Sequence, residues 1–286
     1  MKLNEQTKKL ISFSLEEDIG SGDITTSAII DNNVKGTASI ITKSAGVVCG
    51  IEVAKYICRS FNKKINFILY VKEGSKVNAN HKIAMLTGPF SALLTIERTL
   101  LNFMQRMSGI ASETNRYVQE LGGTKALLLD TRKTVPGHRQ LDKYAVKIGG
   151  GTNHRIGLYD MILIKENHIT AAGSITNAVN QACASKPKHM KIEVETSNLE
   201  EVKEALSCKV DIIMLDNMTI RTMERAVKII NGKCKVEASG GIIFKNLRKV
   251  ALTGVDFISV GSITHSVKAL DIAMYIKQIR KKPKSR

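Results

Sequence analysis

The sequence predicts an α/β protein in which an α+β first half precedes repeated βα units. In the second half, short apolar runs alternate with helical patterns, which is typical of parallel strands joined by crossover helices. The first half instead groups several alternating strands before one long amphipathic helix. The 286 residues suffice for two cores, and Gly122 and Gly123 separate a predicted domain over 1–122 from one over 123–265.

The second half contains six strand-like runs. In chain order these are KALLLD (125–130), DMILIK (160–165), MKIEVE (190–195), DIIMLD (211–216), CKVEAS (234–239) and DFISVG (256–261). The segments between them have helical spacing, and Ser197 or Asn198 is the expected N-cap of the helix after the third run. Strands this apolar on both faces suit a barrel core or a sheet covered by helices.

The first half is expected to mix strands and helices. Its predicted strands lie within 36–50, 65–77 and 82–88, and its predicted helices span 51–61 and 90 to about 121. In EDIGSGDITT (17–26), Asp23 is the expected cap of a short helix. A C-terminal helix over 266–286 is expected to pack on this first domain.

Composition argues against several classes of protein. The formal net charge is +17, but the lysines are scattered and aromatic residues make up only 5%, so nothing resembles a nucleic-acid-binding motif. The basic tail RKKPKSR (280–286) is expected to be solvated. No apolar run is long enough to span a membrane, and the N-terminus lacks signal-peptide features. Five cysteines without a CxxC pair favour a reducing compartment, taken here as the cytoplasm.

Polar and small residues gather where the six runs end. In α/β barrels and open parallel sheets, catalytic groups lie at the carboxyl ends of the strands. Six such ends therefore predict one functional site. Its candidate residues are Asp130, Arg132, Lys133, Lys165, Glu195, Asp216, Ser239, Gly240, Gly241, Gly261 and Ser262.

Cations dominate the early part of this site. Arg132, Lys133, Arg155 and Lys165, with His154, lie close together in the sequence. Guanidinium groups match carboxylates and phosphates, and lysine adds a compact charge. A polyanionic ligand is expected, such as a dicarboxylate or a phosphorylated sugar. Ordinary surface roles suit Arg139 and Lys143, which lie on a predicted helix, and structural roles suit His138 and His168.

Carboxylates and glycines complete the candidate site. Glu195 and Asp216 end consecutive strands, where they could hold ribose hydroxyls, coordinate Mg²⁺ or stabilise an oxocarbenium-like transition state. The SGG (239–241) and VGS (260–262) strand ends suit phosphate, because glycine lets backbone N–H groups approach it. Glu193, inside its strand, is expected to pair with a lysine. On these residues alone the reaction stays open, and Lys165 or Lys133 could equally form a Schiff base.

One longer block of sequence is more specific than the strand-end residues, because it points to a particular family. TRKTVPGHRQLDKYAVKIGGGTNHRIGLYDMILIKENH closely resembles the signature of the quinolinate phosphoribosyltransferase family. Further segments agree with it in order, namely EDIGSGDITT, IERTLLNFMQRMSGIAS, IEVE, MLDNM, VEASGGI and VDFISVGSITHS. The resemblance covers nearly the whole chain. It implies an N-terminal α/β sandwich domain and an incomplete α/β barrel of seven strands, of which the sequence reveals six.

The resemblance also implies an activity and residue roles. The family makes nicotinate mononucleotide from quinolinate and phosphoribosyl pyrophosphate with Mg²⁺, releasing CO₂ and pyrophosphate, in NAD biosynthesis. The implied roles are a quinolinate clamp of Arg132, His154, Arg155 and Lys165, Lys133 near pyrophosphate, Glu195 and Asp216 for ribose and Mg²⁺, and Ser239, Gly240, Gly241 and the Gly261 loop for the 5′-phosphate. Thr131 and Ser262 join the substrate-binding set, and Lys133, Lys165, Glu195 and Asp216 are the candidate catalytic residues.

Arg98 resembles an arginine that the family donates across a dimer interface. A homodimer, or a larger oligomer built from it, is therefore implied. Four alternatives to the main interpretation remain: a molybdenum-utilisation paralogue, a nicotinate phosphoribosyltransferase, an aldolase and a basic nucleic-acid-binding protein. The segment Lys165, Asn167 and His168 favours the main interpretation over the paralogue.

Overall fold

The computed structural model describes residues 2–185, 187 and 189–279, so the basic tail over 280–286 lies outside the described residues. The chain forms two compact units. The first comprises Met1–Glu113, Pro136–Gly149 and the residues from Val267 onward, and the second comprises Thr114–Val135 and Gly150–Ser266. Within the described ranges, no helix combines the length and the apolar character that crossing a membrane requires.

Helices and strands alternate along most of the chain. The helices are α1 (Glu5–Ile19), α2 (Ile24–Ile29), α3 (Ile51–Phe61), α4 (Phe90–Glu120), α5 (Arg139–Ile148), α6 (Glu166–Ala172), α7 (Ile175–Ser185), α8 (Leu199–Ser207), α9 (Ile220–Ile230), α10 (Phe244–Leu252) and α11 (Ser262–His265). The strands are β1 (Lys35–Thr42), β2 (Gly46–Val47), β3 (Asn66–Leu69), β4 (Lys76–Val77), β5 (Lys82–Pro89), β6 (Leu127–Leu129), β7 (Ile162–Ile164), β8 (Ile192–Thr196), β9 (Ile212–Asp216), β10 (Lys235–Ser239), β11 (Phe257–Ser259) and β12 (Ile272–Gln278).

The first unit is built on an antiparallel sheet in the order β12-β1-β5-β3. Alternate residues of β1 are buried, among them Ala38 and Ile40, because successive side chains of a strand point to opposite faces. Asp23 caps α2 by accepting a hydrogen bond from the backbone N–H of Thr26, as predicted. The sequence reasoning had not assigned α1, which Asn4 caps.

The predicted C-terminal helix over 266–286 is wrong over residues 272–278, which form β12. This strand pairs antiparallel with β1, with Met274 opposite Ile40. Its apolar residues fit a helical period as well as a strand period, since short apolar runs do not separate the two. Pairing with β1 satisfies a row of backbone groups that a helix there would have left at the sheet edge.

The second unit confirms the predicted βα pattern. Its parallel strands follow the order β6-β11-β10-β9-β8-β7, and each lies within one of the six predicted runs, except that β8 extends one residue beyond its run, to Thr196. An isolated parallel bridge joins Thr152 to Leu129 of β6, at the place where a seventh strand would lie. Asn198, predicted as one of two possible caps, accepts hydrogen bonds from the first turn of α8. The α/β class predicted from the sequence is thus confirmed.

The division between the units falls inside α4, whereas the sequence placed it at Gly122. The helix continues without interruption to Glu120, and residues 136–149, which include α5, belong to the first unit.

Because the strands of the second unit run parallel, their carboxyl ends meet at one edge. Register places Asp216 of β9 beside Ser239 of β10, and Glu195 of β8 beside Met214 of β9.

Candidate active site

A cavity of about 580 Å³ opens at the carboxyl ends of the parallel strands, and we call it the strand-end pocket. The predicted residues that line it are Thr131, Arg132, Lys133, His154, Arg155, Lys165, Glu195, Asp216, Ser239, Gly240 and Gly241. Sequence reasoning had not proposed five further lining residues, Leu163, Met214, Asn217, Glu237 and Ser259. The pocket therefore combines cations, carboxylates and a glycine loop, as a site for a charged sugar donor and a second anion requires.

Four predicted residues do not line this cavity: Asp130, Gly261, Ser262 and Arg98. Gly261 lies directly against Lys133: a Cβ atom on Gly261 would be 3.2 Å from Lys133 Cδ. Thr264 Oγ1 donates a hydrogen bond to the Lys133 carbonyl at 2.8 Å. The segment 261–264, which contains Ser262, thus packs against Lys133 without lining the pocket. Arg98 is exposed on α4, in the first unit.

A buried aspartate holds the loop that carries His154 and Arg155. Asp130, with no exposed surface, accepts hydrogen bonds from Asn153 Nδ2 at 2.6 Å and from the His154 backbone N–H at 2.9 Å. Arg155 Nη1 donates to the Met161 carbonyl at 3.2 Å. Burial, and after it the neighbouring Arg132 guanidinium, lowers the pKa of Arg155 below its ordinary value. Two guanidinium groups thus share one wall of the pocket.

Lys165 sits where β7 ends and α6 begins. Its backbone N–H donates to His168 Nδ1 at 2.9 Å, which gives His168 the structural role that the sequence suggested. The Lys165 ammonium donates to Glu195 Oε2 at 2.6 Å, and the lysine side chain remains 47% exposed. Lys165 and Glu195 therefore form an ion pair that faces the strand-end pocket.

The glycine loop after β10 packs against the end of β9. Asn217 donates its backbone N–H to the Ser239 carbonyl at 3.0 Å and its side-chain Nδ2 to Asp216 Oδ2 at 2.6 Å. Gly240 has φ +83°, and the space that a Cβ atom on this residue would need is occupied by Asn217. Asn217 thus connects the Asp216 carboxylate to the glycine loop. Its position directly after a strand-end acid is a signal that sequence reasoning overlooked.

Below the pocket, three strands contribute a buried polar cluster. Glu193 and Glu237 have no exposed surface, and His154 Nε2 lies 3.1 Å from Glu193 Oε2 and 3.5 Å from Glu237 Oε2. Ser259 Oγ donates to Glu237 Oε1 at 2.5 Å. The expected pairing of Glu193 with a lysine is therefore wrong: its carboxyl group lies 3.1 Å from His154 Nε2 and beside Glu237.

The two glutamates of this cluster could have been identified from the two-residue period of their strands. Glu193 precedes Glu195 by two residues, and Glu237 precedes Ser239 by the same interval, so each pair points to one side of its strand. Burial raises the pKa of Glu193 to about 7. Burial, with the adjacent Glu193 charge, raises the pKa of Glu237 to about 8.

These two carboxyl groups predict a pH dependence of stability. An unfolded glutamate titrates at about 4.3, so the folded protein binds more protons than the unfolded chain between that value and the folded pKa values. Stability should consequently fall as pH rises through about 7 and 8. We expect a thermal midpoint several degrees lower at high pH than in mild acid, since ~1 kcal/mol corresponds to ~2–4 °C.

The variant Glu237→Gln removes one titrating group and should flatten this dependence. Thermal unfolding of both proteins across the pH series measures it. Identical slopes for the wild type and Glu237→Gln would contradict the assignment.

Comparison with known proteins yields matches over almost the whole chain. The family profile described as quinolinate phosphoribosyl transferase, N-terminal domain, matches residues 23–108, and that of its C-terminal domain matches residues 110–275. The probable nicotinate-nucleotide pyrophosphorylase [carboxylating] of Bacillus subtilis is 43% identical over 269 residues, covering 94% of this chain and 93% of the relative.

Solved structures show the same similarity. NadC from Streptococcus pyogenes superposes with a TM-score of 0.94 at 38% identity, covering 98% of this chain and all of that one. The nicotinate-nucleotide pyrophosphorylase from Francisella tularensis gives 0.92 at 42% identity, covering 97% and 98% of the two chains.

Proposed function

The chain belongs to the quinolinate phosphoribosyltransferase family, and on this premise we propose that its strand-end pocket is where quinolinate and phosphoribosyl pyrophosphate react. The enzyme transfers the phosphoribosyl group to the ring nitrogen of quinolinate. Nicotinate mononucleotide, CO₂ and pyrophosphate are the products, and the reaction serves NAD biosynthesis. The observation that carries the proposal is the convergence of Arg132, Arg155, Lys165 and the glycine loop on one cavity.

The charges of the pocket match those of the two substrates. Quinolinate carries two carboxylates, which the guanidinium groups of Arg132 and Arg155 suit by their planar donor geometry. The Lys165 ammonium adds a further positive charge to the same pocket, and we assign Lys133, which also lines it, to the pyrophosphate oxygens. Ser239 and the adjoining glycines expose backbone N–H groups toward a 5′-phosphate. We thus assign quinolinate to the side of the pocket formed by Arg132 and Arg155. Phosphoribosyl pyrophosphate is assigned to the side formed by the ends of β9 and β10.

The residues perform the reaction chiefly by placing groups and stabilising charge. Holding the ring nitrogen in line with the anomeric carbon replaces an encounter in solution by an oriented attack. As the bond to pyrophosphate breaks, Lys133 stabilises the charge that develops on the leaving group. In the resulting pyridinium, the bond to the adjacent carboxylate breaks, its electron pair enters the ring, and CO₂ departs. Lys165 stabilises the negative charge that is left on the ring carbon, and the ring carbon then takes a proton.

We also assign Mg²⁺ to Glu195 and Asp216. Mg²⁺ prefers one or two carboxylates together with substrate phosphates, and these carboxylates line one cavity. Each has one oxygen engaged by a neighbouring donor, Lys165 or Asn217, so that the pair can still offer two oxygens. When bound, the cation would neutralise charge on the pyrophosphate. This oxygen donor set fits Mg²⁺.

A comparison of two acceptors tests the proposed reaction. Purified protein with phosphoribosyl pyrophosphate and Mg²⁺ should form nicotinate mononucleotide from quinolinate and release pyrophosphate, whereas nicotinate should be a poor acceptor because it lacks the second carboxylate. Chromatography of the nucleotide product measures both, and a chelator should stop the reaction. Equal rates with nicotinate would contradict the proposal.

We further propose that the enzyme is a homodimer in which Arg98 of each subunit completes its partner's site. Exposed apolar side chains on α1 and α2 support an interface on the first unit: Phe13, Ile24 and Ile29 are 64%, 81% and 73% exposed. We propose that a second subunit covers these side chains, since large exposed apolar surfaces mark protein–protein contacts. Arg98 itself is exposed on α4, whereas the next residue, Thr99, is buried, as expected for an arginine directed toward a second subunit.

Subunit complementation tests this arrangement. Arg98→Ala and Lys165→Ala should each be inactive, but a mixed dimer would contain one intact site built from the Lys165 of one subunit and the Arg98 of the other. Random co-assembly should restore about a quarter of the wild-type activity, because half of the dimers are mixed and each has one active site. Co-expression with two affinity tags isolates the mixed dimer. An inactive mixed dimer would place Arg98 in its own subunit's site.

The compartment is proposed to be the cytoplasm. All five cysteines are free thiols, which suits a reducing environment. Fractionation should recover the protein with soluble cytoplasmic enzymes, and recovery from an oxidising compartment would contradict this.

A further inference from the structure

The buried cluster below the strand-end pocket determines which nitrogen of His154 carries a proton. The Arg155 backbone N–H donates to His154 Nδ1 at 2.7 Å. A backbone N–H is always a donor, so Nδ1 must be the unprotonated nitrogen and Nε2 must carry the hydrogen. Turning the ring over would place carbon atoms at both contacts and lose them. The geometry therefore selects the neutral Nε2–H tautomer.

The Nε2–H group of this tautomer faces the two buried acids. Its nitrogen lies 3.1 Å from Glu193 Oε2 and 3.5 Å from Glu237 Oε2. No hydrogen bond with good geometry reaches either oxygen, so the imidazole meets the two acids through short polar contacts, the nearer of them at 3.1 Å. Ser259 fixes the orientation of Glu237 from the far side at 2.5 Å. The imidazole is thereby held on one side by the acids and on the other by the Arg155 backbone.

A metal ion is the competing explanation for this cluster. The ligand atoms of His154, Glu193 and Glu237 lie within 4.8 Å of one another, which suits one divalent cation. A metal bound to Nε2 would require Nδ1 to carry the hydrogen, and metal-binding histidines donate that hydrogen to an acceptor. Here Nδ1 accepts instead. The hydrogen-bonded cluster is therefore the better account.

We propose that Glu193, Glu237 and Ser259 are positioning residues that act through His154 to hold Arg155 in the quinolinate-binding wall. Their effect passes from the two carboxyl groups to the imidazole, and from its Nδ1 to the Arg155 backbone amide. Both nitrogens of His154 are then directed into the protein, and the charge that meets a quinolinate carboxylate comes from the Arg155 guanidinium. This inference rests on the proposed function for its kinetic readout, whereas the tautomer is measured without substrate.

The spectroscopic test uses the whole protein labelled with ¹⁵N-histidine. Six histidines are present, and comparison with His154→Gln identifies the His154 signals. The expected result at neutral pH is an unprotonated, pyridine-type Nδ1 and a protonated Nε2. An Nδ1–H tautomer, a doubly protonated ring, or a stoichiometric shift of Nε2 on adding Zn²⁺ would overturn the proposal.

The kinetic test separates positioning from general structural support. Glu193→Leu removes the polar contact with His154 Nε2 and should raise KM for quinolinate about tenfold, the size of one polar interaction. KM for phosphoribosyl pyrophosphate should not change. Glu193→Gln keeps an acceptor oxygen and should restore most of the affinity, and Ser259→Ala provides a milder variant should Glu193→Leu not fold. The control is Glu200→Gln, an exposed glutamate on α8.

The outcomes separate this inference from the proposed function. An unchanged quinolinate KM in a folded Glu193→Leu or Ser259→Ala protein would overturn the positioning role, and so would equal changes for both substrates. If the wild type does not use quinolinate, the proposed function fails. The ¹⁵N spectra of wild type and Ser259→Ala then still decide whether the cluster holds the His154 tautomer.

Discussion

Lys165→Ala is expected to lower turnover by ~10²–10³-fold, the usual cost of removing one group that stabilises transition-state charge. The Lys165 ammonium lies 2.6 Å from Glu195 and faces the strand-end pocket. In the proposed mechanism Lys165 stabilises the departing carboxylate and the ring carbon behind it, and the substitution removes that positive charge. The fold should persist, because the side chain is 47% exposed.

Lys203→Ala is the matched control for this substitution. Lys203 also forms an ion pair, with Glu200 at 2.9 Å, and is 55% exposed, but it lies on the surface of α8. Its removal should leave turnover unchanged, since exposed ion pairs contribute little. Steady-state rates and thermal unfolding of both variants measure the difference. Near-normal turnover in Lys165→Ala would remove this lysine from the mechanism.

Gly240→Ala should lower kcat/KM for phosphoribosyl pyrophosphate by ~10²-fold, as misplacement of a binding loop by about 1 Å can do. A Cβ at this position would lie 2.3 Å from Asn217 Oδ1 and 2.7 Å from the Asn217 backbone nitrogen. Rotation of the asparagine side chain cannot relieve the backbone clash, so the loop itself must move. The φ of +83° adds strain of about 1–3 kcal/mol.

Gly232→Ala separates the two effects. Gly232 has φ +74°, but a Cβ there meets no atom within 4 Å. It should therefore share the loss of stability and retain activity. Kinetics with phosphoribosyl pyrophosphate as the varied substrate, together with thermal unfolding, distinguishes them. Equal catalytic losses in both variants would show that strain, rather than the contact with Asn217, explains the Gly240 result.

The parallel strands and their polar ends were predictable because both signals are local. Each apolar run is short and closes on a polar or glycine residue, and parallel topology then brings Lys165, Glu195 and Asp216 to one edge. The long block around His154 and Arg155 added specificity that spacing alone did not have.

What escaped prediction depends on contacts between distant strands. The interaction of Glu193 with His154 and Glu237 requires the loop at His154 and the strands β8 and β10 to meet in space, and local sequence patterns do not say which distant elements meet. The strand at 272–278 likewise depends on an exposed edge of β1 being present to pair with it. In both cases local preference was compatible with two outcomes, and tertiary contacts selected one.

The most direct test of the account follows the two carboxyl carbons of quinolinate separately. One substrate carries the label in the carboxylate next to the ring nitrogen, and the other carries it in the second carboxylate. The account predicts that only the first label is released as CO₂, at a rate equal to nucleotide formation and only when phosphoribosyl pyrophosphate is present. Release of the second label, or release without the sugar donor, would contradict it.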